Sequence, residues 1–326
     1  MVNGKSGKGM SAKKGKGRGP GMVSVARRTT RANDIFNSDT VFQAVIYIIM
    51  CFILIITLYP LIFIVSASFS DPLYVNTGQI WILPKGVNIE GYRRVFRNEA
   101  IWTGYRNTVF YTVCGTVINL FVTTTASYAL SKRSLAGRNF ISLVFLFTMF
   151  FSGGMIPTYM VVRNLHLLDT VWAMMLPGAM SISNMIIMRT FFQVTIPDEL
   201  TDAARIDGCS TYRMFIAIVL PLSGAILAVM ALFYGVSHWN TYFDAMIYLN
   251  NRNLFPLQLF LREILMTQQM NAVVSTEEME SIAVQQRLAE MIKFVVIIVS
   301  TLPVLLIYPF MQKYFVRGVM IGSIKG

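Results

Sequence analysis

Residues 195–222 read TIPDELTDAARIDGCSTYRMFIAIVLPL, a short charged interruption followed at once by an apolar run. Thr195 and Asp198, three residues apart with Pro197 between them, form a helix-start signature. Asp198, Glu199 and Asp202 place negative charge in the first turns, where the helix dipole favours it. Ala203 and Ala204 are small, strong helix formers that leave a smooth face, and Gly208 suits a left-handed helix end. Ser210 is placed to cap a second helix that runs into the apolar segment from Met214. The stretch therefore draws a short helix, a glycine turn and a helix entering a membrane. A short rigid helix of this kind is suited to docking a partner protein.

Working outward, the composition is that of an integral membrane protein. Of 326 residues, 55% are hydrophobic and 13% charged, with a mean hydropathy of +0.56. Six stretches carry no Asp, Glu, Lys or Arg: residues 41–70, 107–131, 139–162, 170–188, 214–243 and 294–312. Crossing a bilayer takes about 20 residues, so these six are the expected transmembrane helices of an all-α membrane protein. No repeat of solenoid length is visible.

The net charge of +12 is unevenly spread, because nine of the 28 Lys and Arg lie in the first 31 residues. That Gly-, Ser- and Lys-rich tail, residues 1–40, is expected to be disordered and cytoplasmic rather than to bind nucleic acid. Its Gly4-Lys5-Ser6 lacks the upstream glycine and strand of a phosphate loop. With the N-terminus inside, 18 basic side chains face the cytoplasm and 10 face out, while acids divide 6 to 10. Lys132, Arg133 and Arg138, in a short loop without an acid, give the cleanest vote. The expected topology is N-in and C-in, with residues 190–215 cytoplasmic. Residues 71–106 and 244–293 become the large external loops, and 319–326 a cytoplasmic end. Trp81 and Trp102 are expected as interface anchors, and Glu277, Glu278 and Glu280 as a solvated helix face. His166 and His238 are expected at the membrane interface.

What is missing narrows the function. Cys51, Cys114 and Cys209 have no metal-ligand spacing and suggest no disulfide. No metal or cofactor site is expected. No span holds an ionisable carboxylate, Lys or Arg, which weakens a proton- or sodium-coupled carrier. There is no nucleotide loop, HExxH or GxSxG, so no enzyme is expected. Polar but uncharged residues remain in the spans, among them Asn119, Asn184 and Ser237. Recurring breakers, Pro60, Pro157, Pro177, Pro221, Pro303 and Pro309 with Gly153-Gly154 and Gly178, suit kinked helices that open to either side in turn.

These residues resemble the permease subunits of type I binding-protein-dependent ABC importers. The hallmark of that family is E-A-A, three residues, G, nine residues, I-x-L-P. Asp202-Ala203-Ala204, Gly208, Ile218, Leu220 and Pro221 match it at every spacing, with Asp202 in place of Glu. The resemblance covers nearly everything after residue 40 and is nearest to the carbohydrate-uptake branch, of LplC/YtcP type. It is carried by NTVFYTVCGTVINL (107–120), SYALSKR (127–133), TMFFSGGMIPTY (148–159), HWNTYFDAMIYL (238–249) and the ending from Tyr308 to Gly326. The basic tail has no counterpart in it, and the resemblance is not carried by residues 268–286.

The resemblance implies a six-helix MetI-like permease fold. It also implies partners: a second homologous permease, two ATP-binding subunits and an extracellular solute-binding protein, in a lipid bilayer. The cargo would be a sugar or oligosaccharide. The 202–208 helix would sit in a groove of an ATPase subunit and pass its closure to the spans. Tyr159 and Asn184 are the candidate pathway residues. The competing class is a stand-alone secondary carrier or channel for a small solute.

Overall fold

The computed structural model describes residues 32–274 and 292–309. Residues 1–31 of the basic tail, Glu277, Glu278 and Glu280, and the C-terminal end with Lys313, Arg317 and Lys325 lie outside the described residues, while residues 32–40 of the tail are helical. The chain divides into two compact units, residues 1–58 and 59–326. The described part of the first is most of helix α1, Ala32–Ser68, which from Thr40 has a mean hydropathy of 3.0.

Every regular element among the described residues of the second unit is a helix. It contains α2 (Pro72–Asn76), α3 (Glu90–Arg97) and α4 (Glu99–Ser131). Next come α5 (Arg138–Phe150), α6 (Met155–Asn164) and, after a 3-10 turn, α7 (Ile182–Thr195). The charged stretch forms α8 (Asp198–Ile206) and α9 (Thr211–Met214), then a π turn and the short α10 (Leu220–Leu222). The chain continues through α11 (Gly224–Trp239), α12 (Phe243–Tyr248), α13 (Leu257–Val274) and α14 (Ile292–Pro309).

Among the described residues, three helices are long and apolar enough to cross a membrane: α1 from Thr40, α4 and α14. Two bent pairs pass the same test together, α5 with α6 at 115° and Thr211–Leu222 with α11 at 80°. Six spans, kinked at their prolines and glycines, were expected, and residues 170–188 hold the largest break. They form a 3-10 turn (Val171–Met174), a turn around Pro177-Gly178, and only the first half of α7. Absence of charge does not make a helix here. The ring of Pro177 disfavours a helical residue before it. Ser181 then restarts the helix, its Oγ accepting from the Asn184 amide at 3.5 Å. The helix thus runs seven residues beyond the apolar stretch, through Arg189 and Gln193.

Helix α4 is the axis, packing most extensively on α11, α7 and α13. Its buried face runs Gly104, Thr108, Tyr111, Gly115, Asn119, Thr123, Ser127, the three-and-four spacing of one helix side. A side chain at Gly104 would meet the Leu257 backbone at 2.9 Å, so glycine is what lets α13 approach. Asn107 Nδ2 donates to the carbonyls of Asn253 (2.7 Å) and Phe255 (3.0 Å). Thr108 Oγ1 accepts from the Leu257 amide at 2.8 Å. The segments around residues 66–97 join the same end, with Ser68 Oγ bonded to Tyr92 OH at 2.8 Å and Phe69 stacked on Tyr92.

A polar latch closes that end. Asp169, in the left-handed region at φ 57, accepts the amides of Asn250 (2.9 Å) and Asn251 (2.8 Å) on one carboxylate oxygen. Its own amide donates to Tyr248 O at 2.8 Å. Asp169→Ala removes two charge-assisted hydrogen bonds and puts alanine at a positive φ, and is expected to cost about 2 kcal/mol. The check is thermal unfolding in detergent; an unchanged melting temperature would remove the latch from the account.

Candidate functional site

The opposite end of α4 carries the charged stretch. Helix α8 begins one residue after Pro197, which occupies the N-cap without a side-chain cap. Thr195 does not start it, as the sequence had suggested. It is the last residue of α7, and its hydroxyl is buried without a partner among the described residues. Pro197 fixes the chain in an extended conformation (φ −62, ψ 148) between the two helices. Asp198 and Glu199 fall in the first turn as expected.

The other end of α8 is a Schellman motif. The Gly208 amide donates to Arg205 O (3.0 Å) and the Cys209 amide to Ala204 O (2.9 Å). Gly208 has φ +73, and a side chain there would meet nothing within 4 Å. The glycine is therefore required by backbone angle, not by crowding within this chain. Ser210 caps the next helix as expected, its Oγ accepting from the Arg213 amide at 3.3 Å.

The two sides of α8 differ. Thr201 and Ala204 are buried, and Ala204 belongs to a cluster with Tyr128, Phe192, Met214, Val219, Met230 and Tyr234. That cluster joins α8 to α4, α7 and α11, so a push on α8 reaches the axis helix through close-packed side chains. The remaining face is exposed: Asp198, Glu199, Asp202, Ala203 and Asp207, with Ile206 87% exposed and Tyr212 83%. Asp202 faces Arg205 at 3.8 Å, but both are largely exposed and the pair contributes little.

The rest of the motif forms a bend. Residues Phe215–Val219 make a π turn that includes Ile218, which packs on the buried cluster. Pro221, exposed within α10, supplies no amide to continue the ladder. Ser223 Oγ donates to Val219 O at 2.7 Å, satisfying a carbonyl at the break. Leu220, half-buried, lies between them.

Lys132, just past the end of α4, ties its loop to α8 by donating from Nζ to Thr201 Oγ1 at 2.9 Å. The same ammonium sits over the Tyr128 ring, 5.0 Å from its centre. Burial pushes Lys132 below its ordinary pKa, with Asp198 opposing that shift. The loop 132–138 and α8 therefore occupy one end of the bundle.

The two pathway candidates are not brought together by any hydrogen bond or ring contact among the described residues. Tyr159 is stacked on Tyr248 at 6.4 Å, and half-buried Asn184 sits in the first turn of α7. What the sequence reading missed is a polar seam inside the bundle. His238 is buried rather than interfacial, and Asn119 Oδ1 accepts from its Nε2 at 2.9 Å. Asn119 Nδ2 donates to Gly178 O at 2.6 Å. Tyr234 OH shares a hydrogen bond with Thr123 Oγ1 (2.7 Å) and accepts the Ser181 amide (3.1 Å). Ser127 Oγ donates to Met185 O at 3.0 Å. Asn119, Thr123 and Ser127 recur every four residues, a signal that was present in the sequence. Among the described residues no group of His, Cys, Asp or Glu is arranged to hold a metal ion.

No protein-family model matches the chain. Individual proteins do. It is 41% identical over 271 residues to Protein LplC of Bacillus subtilis (strain 168), covering 83% of this chain and 90% of that protein. It is 40% identical over 289 residues to the polygalacturonan/rhamnogalacturonan transport system permease protein YtcP of the same organism, covering 88% and 99%. Among solved structures, the chain matches one from a bacterial ABC transporter involved in the import of the acidic polysaccharide alginate. The TM-score is 0.76 and the identity 33%, over 85% of this chain and 98% of that one.

Proposed function

The chain belongs to the carbohydrate ABC transporter permeases, and from that premise we propose that it forms half of the translocation pathway of an ATP-driven importer of oligosaccharides. In this reading a second homologous permease supplies the other half. Two ATP-binding subunits lie on the cytoplasmic side, and an extracellular binding protein delivers the sugar. The chain is a non-catalytic subunit of the cell membrane, crossing it six times with both termini inside. The sixth crossing is made by the 3-10 turn together with α7, which at 14 residues spans about 21 Å by itself.

Helix α8 is the coupling element. The observation that carries this is its two-sidedness: an inner face packed on the cluster that reaches α4, α7 and α11, and an outer face that is exposed. Asp202, Ala203 and Gly208 would meet the ATPase groove, the acid facing basic groups and the small residues permitting close approach. Ala204 and Ile218 would pass the movement inward, and Leu220 and Pro221 would turn it along α11. The cargo reading draws on the named sugars of the relatives. Tyr159 and Asn184 remain the proposed pathway residues.

Two measurements decide between this reading and a stand-alone carrier. The tagged chain, purified from its own cell membranes, is expected to bring a second permease and an ATPase with it. Reconstituted alone in liposomes, it is expected to move no sugar with or without ATP. ATP-independent transport by the isolated chain would end the importer reading.

A further inference from the structure

We infer that the cavity between the 132–138 loop and the start of α8 binds the phosphate of an anionic phospholipid headgroup. The cavity has a volume of about 220 Å³, and its lining includes Lys132, Arg133, Arg138, Gln193 and a single acid, Asp198. A second, more open cavity of about 560 Å³ shares Arg133 and Arg138 and extends over Leu135 and Phe140. The two arginines thus stand between a polar recess and an apolar margin.

The charges there are poorly satisfied by the protein. Neither Arg133 nor Arg138 takes part in an ion pair among the described residues. Arg138 Nε is buried with no hydrogen-bond partner among the described residues. Arg189, which donates to Ser142 Oγ at 3.1 Å, lies near enough to Arg138 for their like charges to oppose each other. Lys132 uses one of its three donors on Thr201. Cations that outnumber the one acid of the lining, one of them with a desolvated donor, are stabilised by an oxyanion that accepts from several at once. Helix α5 adds to this, since it opens at Arg138 with Gly137 as an N-cap lacking any side-chain cap.

The surroundings favour a lipid over a soluble phosphate. Helix α4 leaves its apolar run at Ser131, and α5 enters one at once. Phe140, Leu143 and Phe147, on one side of α5, are 71%, 63% and 57% exposed. A headgroup held by Arg133 and Arg138 would lay its acyl chains along them, a gain that a free anion does not share. Through Lys132, Thr201 and Asp198 the site also touches α8. An occupied site would brace that helix, a consequence that rests on the coupling reading, whereas the binding does not.

The test uses the full chain, purified in mild detergent, stripped of lipid and placed in nanodiscs. Discs of phosphatidylcholine alone are compared with discs containing graded phosphatidylglycerol, and tightly held lipid is measured by native mass spectrometry. Phosphatidylglycerol is expected to be retained in preference to phosphatidylcholine. Arg133→Gln/Arg138→Gln is expected to weaken that retention about 30-fold, from two charges near a membrane surface. Arg106→Gln, at the far end of α4, is expected to change nothing. The double variant should melt like the parent in pure phosphatidylcholine; if it does not insert, Arg138→Gln alone, with about a fivefold loss, decides the same point. Equal retention by the arginine variants, or no preference over phosphatidylcholine, overturns the site. So does full protection by millimolar inorganic phosphate, which would assign the cavity to a soluble anion. Because the readout involves neither ATP nor uptake, its failure and that of the coupling reading are separate events.

Discussion

Replacing Gly208 with aspartate is expected to lower ATP-driven uptake by roughly tenfold or more, the scale of a lost coupling free energy, with the protein still inserted in normal amounts. The glycine's φ of +73 is costly for most residues but least so for Asp and Asn. A Cβ there meets nothing within 4 Å, so the chain itself does not reject a side chain. The fold should therefore survive with a loss of about 1 kcal/mol, read as a small fall in melting temperature. What changes is the outer surface of α8, where added bulk and charge hold a docking partner away. Gly208→Asn separates the causes, because it keeps the angle tolerance without the charge. Uptake by Gly208→Asp at the parental rate would mean that α8 is not the docking element.

Gly115→Ala is expected to act through the core instead, destabilising the chain by about 2 kcal/mol. The added methyl would lie 2.5 Å from His238 Nε2, inside any permitted contact. The ring must move, and Asn119 Oδ1 then loses its donor. Overpacking of this kind costs about 1–3 kcal/mol, and an interhelical hydrogen bond in a membrane protein adds about 0.6 kcal/mol. His238→Ala makes room for the methyl, so Gly115→Ala/His238→Ala should be more stable than the two separate losses predict. Thermal unfolding of the four proteins in detergent measures this. Strict additivity would mean that the ring and the glycine do not share the space between α4 and α11.

The contrast between these two glycines bears on what could be read from the sequence. Gly208 was legible because helix ends are local: a glycine, a Schellman pair and the Ser210 cap lie within seven residues. Gly115 was not, because its reason is a histidine 123 positions later. The Asp169 latch, reaching 81 and 82 residues ahead, left no local trace for the same cause. Hydropathy located α1, α4 and α14 well, since an uninterrupted apolar run of that length has few alternatives. It gave no sign of the break within residues 170–188, where the same composition surrounds Pro177 and Ser181 and backbone geometry decides. Thr195 was misread as a cap because Pro197 can hold the chain extended without one. The motif at residues 202–221 was visible as a spacing, but its division into an outward face, an inward face and a bend required packing.

One feature of the α5–α6 bend reaches beyond this chain. Phe151, Ser152, Gly153 and Gly154 are exposed, and the amides of Ser152 and Gly153 have no hydrogen-bond partner among the described residues. In hydrocarbon each such group costs several kcal/mol, so bare backbone survives at membrane depth only against protein or water. A solitary copy in lipid carries that penalty continuously, and a neighbouring subunit or a wet passage removes it. In the proposed assembly, the lifetime of the chain would by mass action depend on how much partner the cell makes. Orphan copies should be degraded first, so that balanced subunit numbers follow from four residues at a bend.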